Sequence, residues 1–403
     1  MDLKPPVFLN RHSPPHIGTL VLISGMTALV MNIFLPSLPQ MAVYFSADYG
    51  VMQLSVSLYL GCNAIVQIFI GPIADRYGRR KIMLVSVGLF LLATLGALLA
   101  TTVTEFLLFR MAQAVIVSGM VLSRAIVRDM VPQDEAASMI GYVTMGMALV
   151  PMVSPMVGGV LEEAFGWQAS FILMLVLGVA VLALVWADLG ETAQLRSMRM
   201  IDQIREYPEL LTARRFWGYS LTAAFTAALF FAFLGGAPFV GIEVFGLSPS
   251  VLGFYFGAPA VGYATGNLLT GLFSRRYGIN RMIVIGALIG AGGISFLIVL
   301  WLLGLAPAPV FFGCFVLVGI ANGLVMPNAT SGLLSVRPHM AGTASGLGGA
   351  LMLGGGASVS ALSGVLLQPG SGPVPLLLLM LVTATLSVVA ILYVIRREKA
   401  LRG

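Results

Sequence analysis

Apolar residues in this chain fall in long unbroken runs. They follow neither the three-to-four-residue rhythm of a half-buried helix nor the alternation of a half-buried strand. Each run is about 20 residues long, enough to cross the hydrocarbon core of a bilayer as a helix. Twelve spans are predicted, at 17–38, 50–72, 82–102, 106–127, 138–161, 168–189, 216–240, 250–272, 282–303, 308–330, 341–367 and 374–395. Charged positions cluster in the short gaps between them. The longest gap, near 190–215, holds Glu191, Arg196, Arg199, Asp202, Arg205, Glu206, Glu209, Arg214 and Arg215. It reads as a cytoplasmic linker with room for a short amphipathic helix. The predicted organisation is therefore a tail at 1–16, a six-helix bundle at 17–189, the linker at 190–215, a second six-helix bundle at 216–395 and a tail at 396–403.

A repeat supports the division. The run Gly71-Pro72-Ile73-Ala74-Asp75-Arg76-Tyr77-Gly78-Arg79-Arg80-Lys81 lies between spans 2 and 3. Its weaker echo, Gly271-Leu272-Phe273-Ser274-Arg275-Arg276-Tyr277-Gly278, lies between spans 8 and 9, and Arg281 matches Lys81. Two similar halves are the usual build of secondary transporters. The echo has Arg275 where the first copy has Asp75, so the two loops are not equivalent.

Composition agrees. Of 403 residues 58% are hydrophobic and 9% charged, against about 25% charged in soluble domains. The fold class expected is an all-α integral membrane protein. Its 47 glycines let membrane helices approach closely. The net charge of +6 does not point to nucleic acid, because the basic residues occupy loops where they set topology. With both termini inside, every Lys and Arg except Arg110 falls on the cytoplasmic side. The opposite side holds Asp48, Glu105, Glu162, Glu163 and Glu243. Cys62 and Cys314 sit within apolar runs and read as reduced packing residues. No phosphate loop, nucleophile–base pair or metal-binding cluster is present, so no enzyme, ATPase, cofactor or metal is expected.

Several local motifs then point one way. Leu35-Pro36-Ser37-Leu38-Pro39 ends span 1. Span 4 carries Arg110-Met111-Ala112-Gln113 and Arg124-Ala125-Ile126-Val127-Arg128-Asp129. Span 5 carries Pro151-Met152-Val153-Ser154-Pro155-Met156-Val157-Gly158-Gly159. Met326-Pro327-Asn328-Ala329 and Ala341-Gly342-Thr343-Ala344-Ser345-Gly346 follow late in the chain. With the 71–81 loop, these resemble the major facilitator superfamily, and within it the Bcr/CflA-type drug:proton antiporters, over about 17–395. The resemblance implies twelve helices in two pseudo-symmetric bundles, a monomer in a bacterial inner membrane with both termini cytoplasmic, and no cofactor. It implies export of drug-like compounds such as bicyclomycin or amphenicols, in exchange for protons.

The resemblance also assigns expected roles. Gly71 would let spans 2 and 11 approach closely. Asp75 would face the N-terminus of a neighbouring helix, and Arg79 would pair with Asp129, latching the inner gate. Arg76, Gly78 and Arg128 belong to the same cluster. Pro151 and Pro155 would bend span 5, and Gly158 and Gly159 would seal it against span 11. Arg110 is the one basic residue placed in hydrocarbon, which by itself marks a functional candidate. Related sequences carry an acid in span 1 where this chain has Asn32, and asparagine takes up no proton. Three routes stay open: coupling through a rim acid such as Glu243 or Glu105, an uncoupled facilitator, or an anionic metabolite held by Arg110. Candidate pocket residues are Tyr59, Asn63 and Gln67 at i, i+4, i+8, then Phe230, Phe231 and Phe233, Tyr255, Asn267, Asn322 and Asn328.

Overall fold

The computed structural model describes residues 7–11, 13–130, 133–192, 209–337 and 341–402. Most of the predicted linker (193–208), together with His12 and His339, lies outside them, as does the side chain of Arg128. The described residues are predominantly helical, with no strand among them.

Ten helices among these residues are long and apolar enough to cross a membrane. In the first half they are span 1 (Ile17–Tyr44), span 2 (Tyr49–Tyr77), span 3 (Arg79–Leu99), span 4 (Val103–Val127) and span 6 (Gln168–Asp188). In the second half they are span 7 (Arg214–Val244), span 9 (Ile279–Leu302), span 10 (Ala308–Val336), span 11 (Gly346–Leu366) and span 12 (Val374–Ala400). Span 5 is the helix Gln133–Phe165, which continues through both prolines. Span 8 is made of two helices, Pro249–Tyr255 and Gly257–Tyr277. Twelve spans thus stand in two groups of six. The helices overrun the apolar runs at the end that carries the termini, which we call the basic end: span 3 starts at Arg79 rather than 82.

Without water to drive them together, membrane helices associate through close backbone packing. Spans 8 and 10 show how. Gly262 and Gly266 lie against the Val316 and Ile320 carbonyls, and Gly319 and Gly323 lie against those of Pro259 and Tyr263. Two small-x-x-x-small stripes therefore interlock, and any side chain on one would strike the other helix's backbone.

One buried carboxylate ties down the N-terminal segment. Asp188, fully enclosed at the basic end of span 6, accepts from Leu9 N (2.7 Å), His16 N (2.9 Å) and Thr19 Oγ1 (2.6 Å). Hydrogen bonds to a charged group contribute about 1.5–3 kcal/mol each. Asp188→Ala is therefore expected to lower the thermal unfolding midpoint of the purified protein clearly. Asp188→Asn, which keeps two acceptor lone pairs, should lower it less. Equal midpoints for wild type and the alanine variant would refute this account.

Candidate transport pathway

The charge inside the membrane is caged. Arg110 is 1% exposed, so it does not reach the surface along its stem. Its guanidinium carbon stands 4.3 Å from the ring centre of Phe34 and 4.1 Å from that of Tyr59. Such contacts contribute about 2 kcal/mol when desolvated. Its edge donates from Nη1 to Gln113 Oε1 (2.7 Å), from Nη2 to the Val30 carbonyl (2.9 Å) and from Nε to the Ser55 carbonyl (3.3 Å). Val30 is available because span 1's first helix ends at Asn32, leaving its last carbonyls without helical partners. Gln113 passes the link on through its Nε2 to Thr94 Oγ1 of span 3 (2.7 Å). One side chain thus joins spans 1, 2, 3 and 4. Span 4 tightens into a 3₁₀ turn at Gln113–Val117, directly after Arg110.

Asn32 is not part of this cage. Its Nδ2 donates to Ala28 O (2.7 Å) one turn back on its own helix. No carboxylate lies within ion-pair distance of Arg110 among the described residues.

The Tyr59–Asn63–Gln67 face runs from the cage to the meeting of the bundles. Tyr59 and Asn63 are buried, and the Tyr59 hydroxyl and Asn63 Oδ1 have no hydrogen-bond partner. Gln67 Oε1 lies 3.1 Å from where a Cβ on Gly349 of span 11 would be. The other aromatic candidates pack within the second bundle. Phe231 fills the space beside Gly356. Phe233 lies between Phe256 and Phe315 with ring centres 5.2 and 4.5 Å away, and Phe230 stacks on it. Tyr255 stacks on Phe312 at 5.0 Å. Asn267 and Asn322 each donate to their own helix one turn back, and Asn328 does the same while meeting Thr270 and Ser274.

At the end opposite the termini the bundles are closed on each other. Tyr49 Oη donates to the Gly235 carbonyl (2.7 Å), joining spans 2 and 7. Gln53, fully buried, donates to Ser360 Oγ of span 11 (2.7 Å). A Cβ on Gly50 would stand 3.0 Å from the Gly364 carbonyl oxygen. Between spans 5 and 8 the contact is backbone on backbone: Gly159 lies on the Pro249 carbonyl and Gly253 on that of Pro155. Gly159 therefore meets span 8 and not span 11, and Gly158 packs on the Ile33 carbonyl of span 1, inside its own bundle. Gln53 was not singled out from the sequence. It lies fourteen residues before Gln67, nearly four helical turns, and that spacing is the signal that marks it.

The basic end contains the expected Arg79–Asp129 pair and departs from expectation elsewhere. Nothing lies within 4 Å of where a Cβ on Gly71 would be. The contacts of spans 2 and 11 run from Gly50 beside Gly364 at the far end to Gln67 beside Gly349, and stop short of Gly71. Asp75, with its side chain 44% exposed, pairs with Arg79 one turn on (2.9 Å) and not with a neighbouring helix end. Arg79 also donates from Nε to Asp129, and Arg76 stacks on Tyr77. Gly78 holds φ +95°, and the Glu191 carboxylate sits against it. Glu191 accepts from Arg79 N (2.8 Å) and Arg80 N (3.3 Å), capping span 3.

The profile of the Major Facilitator Superfamily matches residues 20–361, with a second match over 242–403. The chain belongs to the major facilitator superfamily. It is a transporter and not an enzyme. A Bacillus subtilis protein described as an uncharacterized transporter of this superfamily, YdgK, is 31% identical over 92% of this chain and 94% of its own. A Haemophilus influenzae bicyclomycin resistance protein homolog is 27% identical over 96% of this chain and 98% of its own. Multidrug resistance protein D of Escherichia coli is 28% identical over 89% and 91%. Among solved structures, a peptide transporter in complex with sulfate aligns with a TM-score of 0.77 at 14% identity, covering 95% of this chain and 94% of that one. A bacterial homolog of the human lysosomal transporter Spinster, in an inward-facing and occupied conformation, gives 0.73 at 20% identity over 95% and 96%. These structural likenesses speak for the superfamily fold. The bicyclomycin and multidrug relatives agree with the drug:proton antiporter type that the span 1, 4 and 5 motifs resemble.

Proposed function

We propose that this protein exports small, largely hydrophobic compounds across a bacterial cytoplasmic membrane by alternating access, in exchange for protons. The basic end is then cytoplasmic, and the conformation is the inward-facing one. The single observation that carries the reading is the far-side seal: side-chainless backbone contacts between spans 5 and 8, with Gln53 and Tyr49 bridging spans 2, 7 and 11. A seam that tight and free of ion pairs can open and reclose without leaving charges stranded. The drug-resistance names of two relatives supply the substrate class.

Coupling needs a carboxylate, and five outer-end acids compete for the role, of which Asp48 and Glu163 are exposed. Glu105 is engaged as the capping box of span 4, with its side chain on Thr101 N and Thr102 N. Glu243 is exposed. Glu162 is half-buried, lies beside Ser37, and has Oε2 enclosed without a hydrogen-bond partner. It stands one turn beyond the Gly158–Gly159 contact, so opening the seam changes its access to water. Glu162 is the acid we assign to proton exchange. The rival reading, a carrier of an anionic metabolite held by Arg110, draws on the lack of an acid near Arg110, but the closed cage leaves no approach to the guanidinium in this state.

In an efflux-deficient bacterium, expression is expected to lower intracellular chloramphenicol or bicyclomycin several-fold, and a protonophore should abolish the difference. Glu162→Gln should remove the protonophore-sensitive part. Unchanged accumulation of both drugs, with the protein present in the membrane, sinks drug export and favours the metabolite carrier. Full activity of Glu162→Gln sinks only the assignment of the acid.

A further inference from the structure

Trp186 stands in the last turn of span 6 and is 57% exposed. Its indole lines the basic end of an apolar groove of about 450 Å³ between spans 3 and 6, formed with Leu84, Val179, Leu182 and Ala183. The guanidinium carbon of Arg11 stands 5.7 Å from the centre of the same ring, within the range of a cation–π contact. The Trp186 carbonyl accepts from Arg80 Nη2 (2.9 Å), and Arg80 Nε donates to the Leu189 carbonyl (2.6 Å). The seam between the bundles is made by spans 2, 5, 7, 8 and 11. The groove takes no part in it, and Val179 and Ala183 are exposed along it. In a membrane, that face of the first bundle meets lipid.

The mouth of the groove is basic. Lys81 is exposed and lies one turn before Leu84, on the same face of span 3. With Arg11 and Arg80 it makes three cations, none with a carboxylate in ion-pair distance among the described residues. The acids of this corner are engaged elsewhere. Asp188 holds Leu9, His16 and Thr19, Glu191 caps span 3, and Asp75 and Asp129 pair with Arg79. Arg11 is held in place, because the segment before span 1 is folded. Ser13, 5% exposed, accepts from Val7 N (3.2 Å) and donates to the Asn10 carbonyl (2.9 Å). Gly190 lies against the Ser13 and Arg11 carbonyls. Yet this pinned segment leaves Val7 50% exposed and Phe8 and Leu9 56% exposed, side by side. Apolar side chains fixed there suit the boundary between headgroups and acyl chains.

We propose that this corner binds an anionic phospholipid of the leaflet at the basic end, with one acyl chain in the groove between spans 3 and 6 and the phosphate among Lys81, Arg80 and Arg11. The two parts of the site define the occupant together. A dry groove open to the bilayer takes a hydrocarbon chain, three cations without acids at its mouth take a phosphate, and a phospholipid carries both in one molecule. A zwitterionic headgroup brings its own cation to the same place, so the site favours a headgroup with net negative charge. Trp186 sits at the junction of the two parts, where an amphipathic ring belongs. The site is separate from the substrate pathway, so it stands whether or not the protein exports drugs.

The test places the full-length protein in phosphatidylcholine nanodiscs that also contain, at equal mole fraction, either phosphatidylglycerol or phosphatidylcholine with brominated acyl chains. Bromine quenches tryptophan at contact, and subtracting the signal of Trp186→Phe leaves the share of Trp186. Brominated phosphatidylglycerol is expected to quench Trp186 at a far lower mole fraction than brominated phosphatidylcholine. The Arg11→Gln/Lys81→Gln double variant changes only exposed side chains, and its thermal unfolding midpoint will show that it is folded. At about a fivefold contribution per basic residue near the headgroups, it should lower that preference roughly 30-fold. Lys399→Gln, an exposed cation at the same end of the second bundle, should leave the preference intact. Ala183→Phe, which fills the groove from its exposed side, should weaken the quenching of Trp186 by brominated phosphatidylglycerol. Equal quenching by the two lipids in wild type, or a folded double variant with the wild-type preference, overturns the proposal. Undiminished quenching in Ala183→Phe overturns it as well, because the chain then lies elsewhere.

Discussion

Replacing Gly159 with leucine is expected to abolish export and to leave the protein open on the outer side. In the closed seam the Gly159 α-carbon faces the Pro249 carbonyl, and Gly253 faces that of Pro155. Both obstacles are backbone, so no rotamer change can make room. Inserting a methyl into a packed interface costs about 1–3 kcal/mol. Gly159→Ala should thus shift the balance away from the closed state by roughly 5- to 150-fold. Leucine should exceed the about 5.5 kcal/mol that takes a two-state equilibrium from one extreme to the other. The readout is a cysteine placed at Ser360, which is buried behind the seam and whose sulfur can still accept weakly from Gln53, in a background lacking Cys62 and Cys314, and the comparison is with this same reporter carrying Gly159. An impermeant maleimide should label it slowly in the parent and fast with Gly159→Leu. Gly158 provides the contrast. It packs on the Ile33 carbonyl within its own bundle, so Gly158→Leu should lower yield and stability without raising labelling. Slow labelling and normal export by Gly159→Leu would show that the seam does not govern access.

The second large effect concerns Arg110. Arg110→Lys is expected to be less stable than Arg110→Leu, although lysine keeps the charge. The cage matches a flat guanidinium: two rings on its faces and three acceptors around its edge. An ammonium neither stacks between the rings nor reaches three divergent acceptors. It would remain a buried charge without compensation, a situation that costs about 3–5 kcal/mol. Leucine removes the charge together with its desolvation penalty. It leaves the Val30 and Ser55 carbonyls and Gln113 Oε1 without this donor, at about 1–3 kcal/mol for each that finds no other partner. Both variants should lose export, because spans 1, 2, 3 and 4 no longer move as one body. The check is a thermal unfolding series in detergent beside drug accumulation. A lysine variant as stable as wild type would contradict the stacked-cage account.

Arg110 also shows where reading the sequence stops. That a lone arginine inside an apolar run is buried followed from its position alone. Its partners did not. Phe34, Tyr59, Val30, Ser55 and Gln113 come from three spans, and no local pattern says which faces of those spans meet. Asn32, at the position where related sequences carry an acid, is not among them either. Depth is set by counting along a helix, but azimuth is set by packing, and the asparagine turns back onto Ala28. Likewise the small-residue run of span 5 was legible as a contact surface. Its counterpart proved to be span 8, because the bundles close at the end opposite the termini and the partner of a smooth face depends on which gate is shut. The same reason leaves Gly71 without a neighbour in this state.

By itself the sequence determined the twelve spans, the two-fold repeat and the superfamily. Each rests on a local requirement: about 20 apolar residues per crossing, and motifs that recur at fixed spacing. Only the tertiary structure decided the cage around Arg110, the seam of spans 5 and 8, the Gln53 bridge and the enclosed Glu162 oxygen. Each of these joins groups far apart in the chain. A bilayer makes nearly every helix face equally apolar, so hydrophobicity, which in a soluble protein tells inside from outside, says little here about which face meets which.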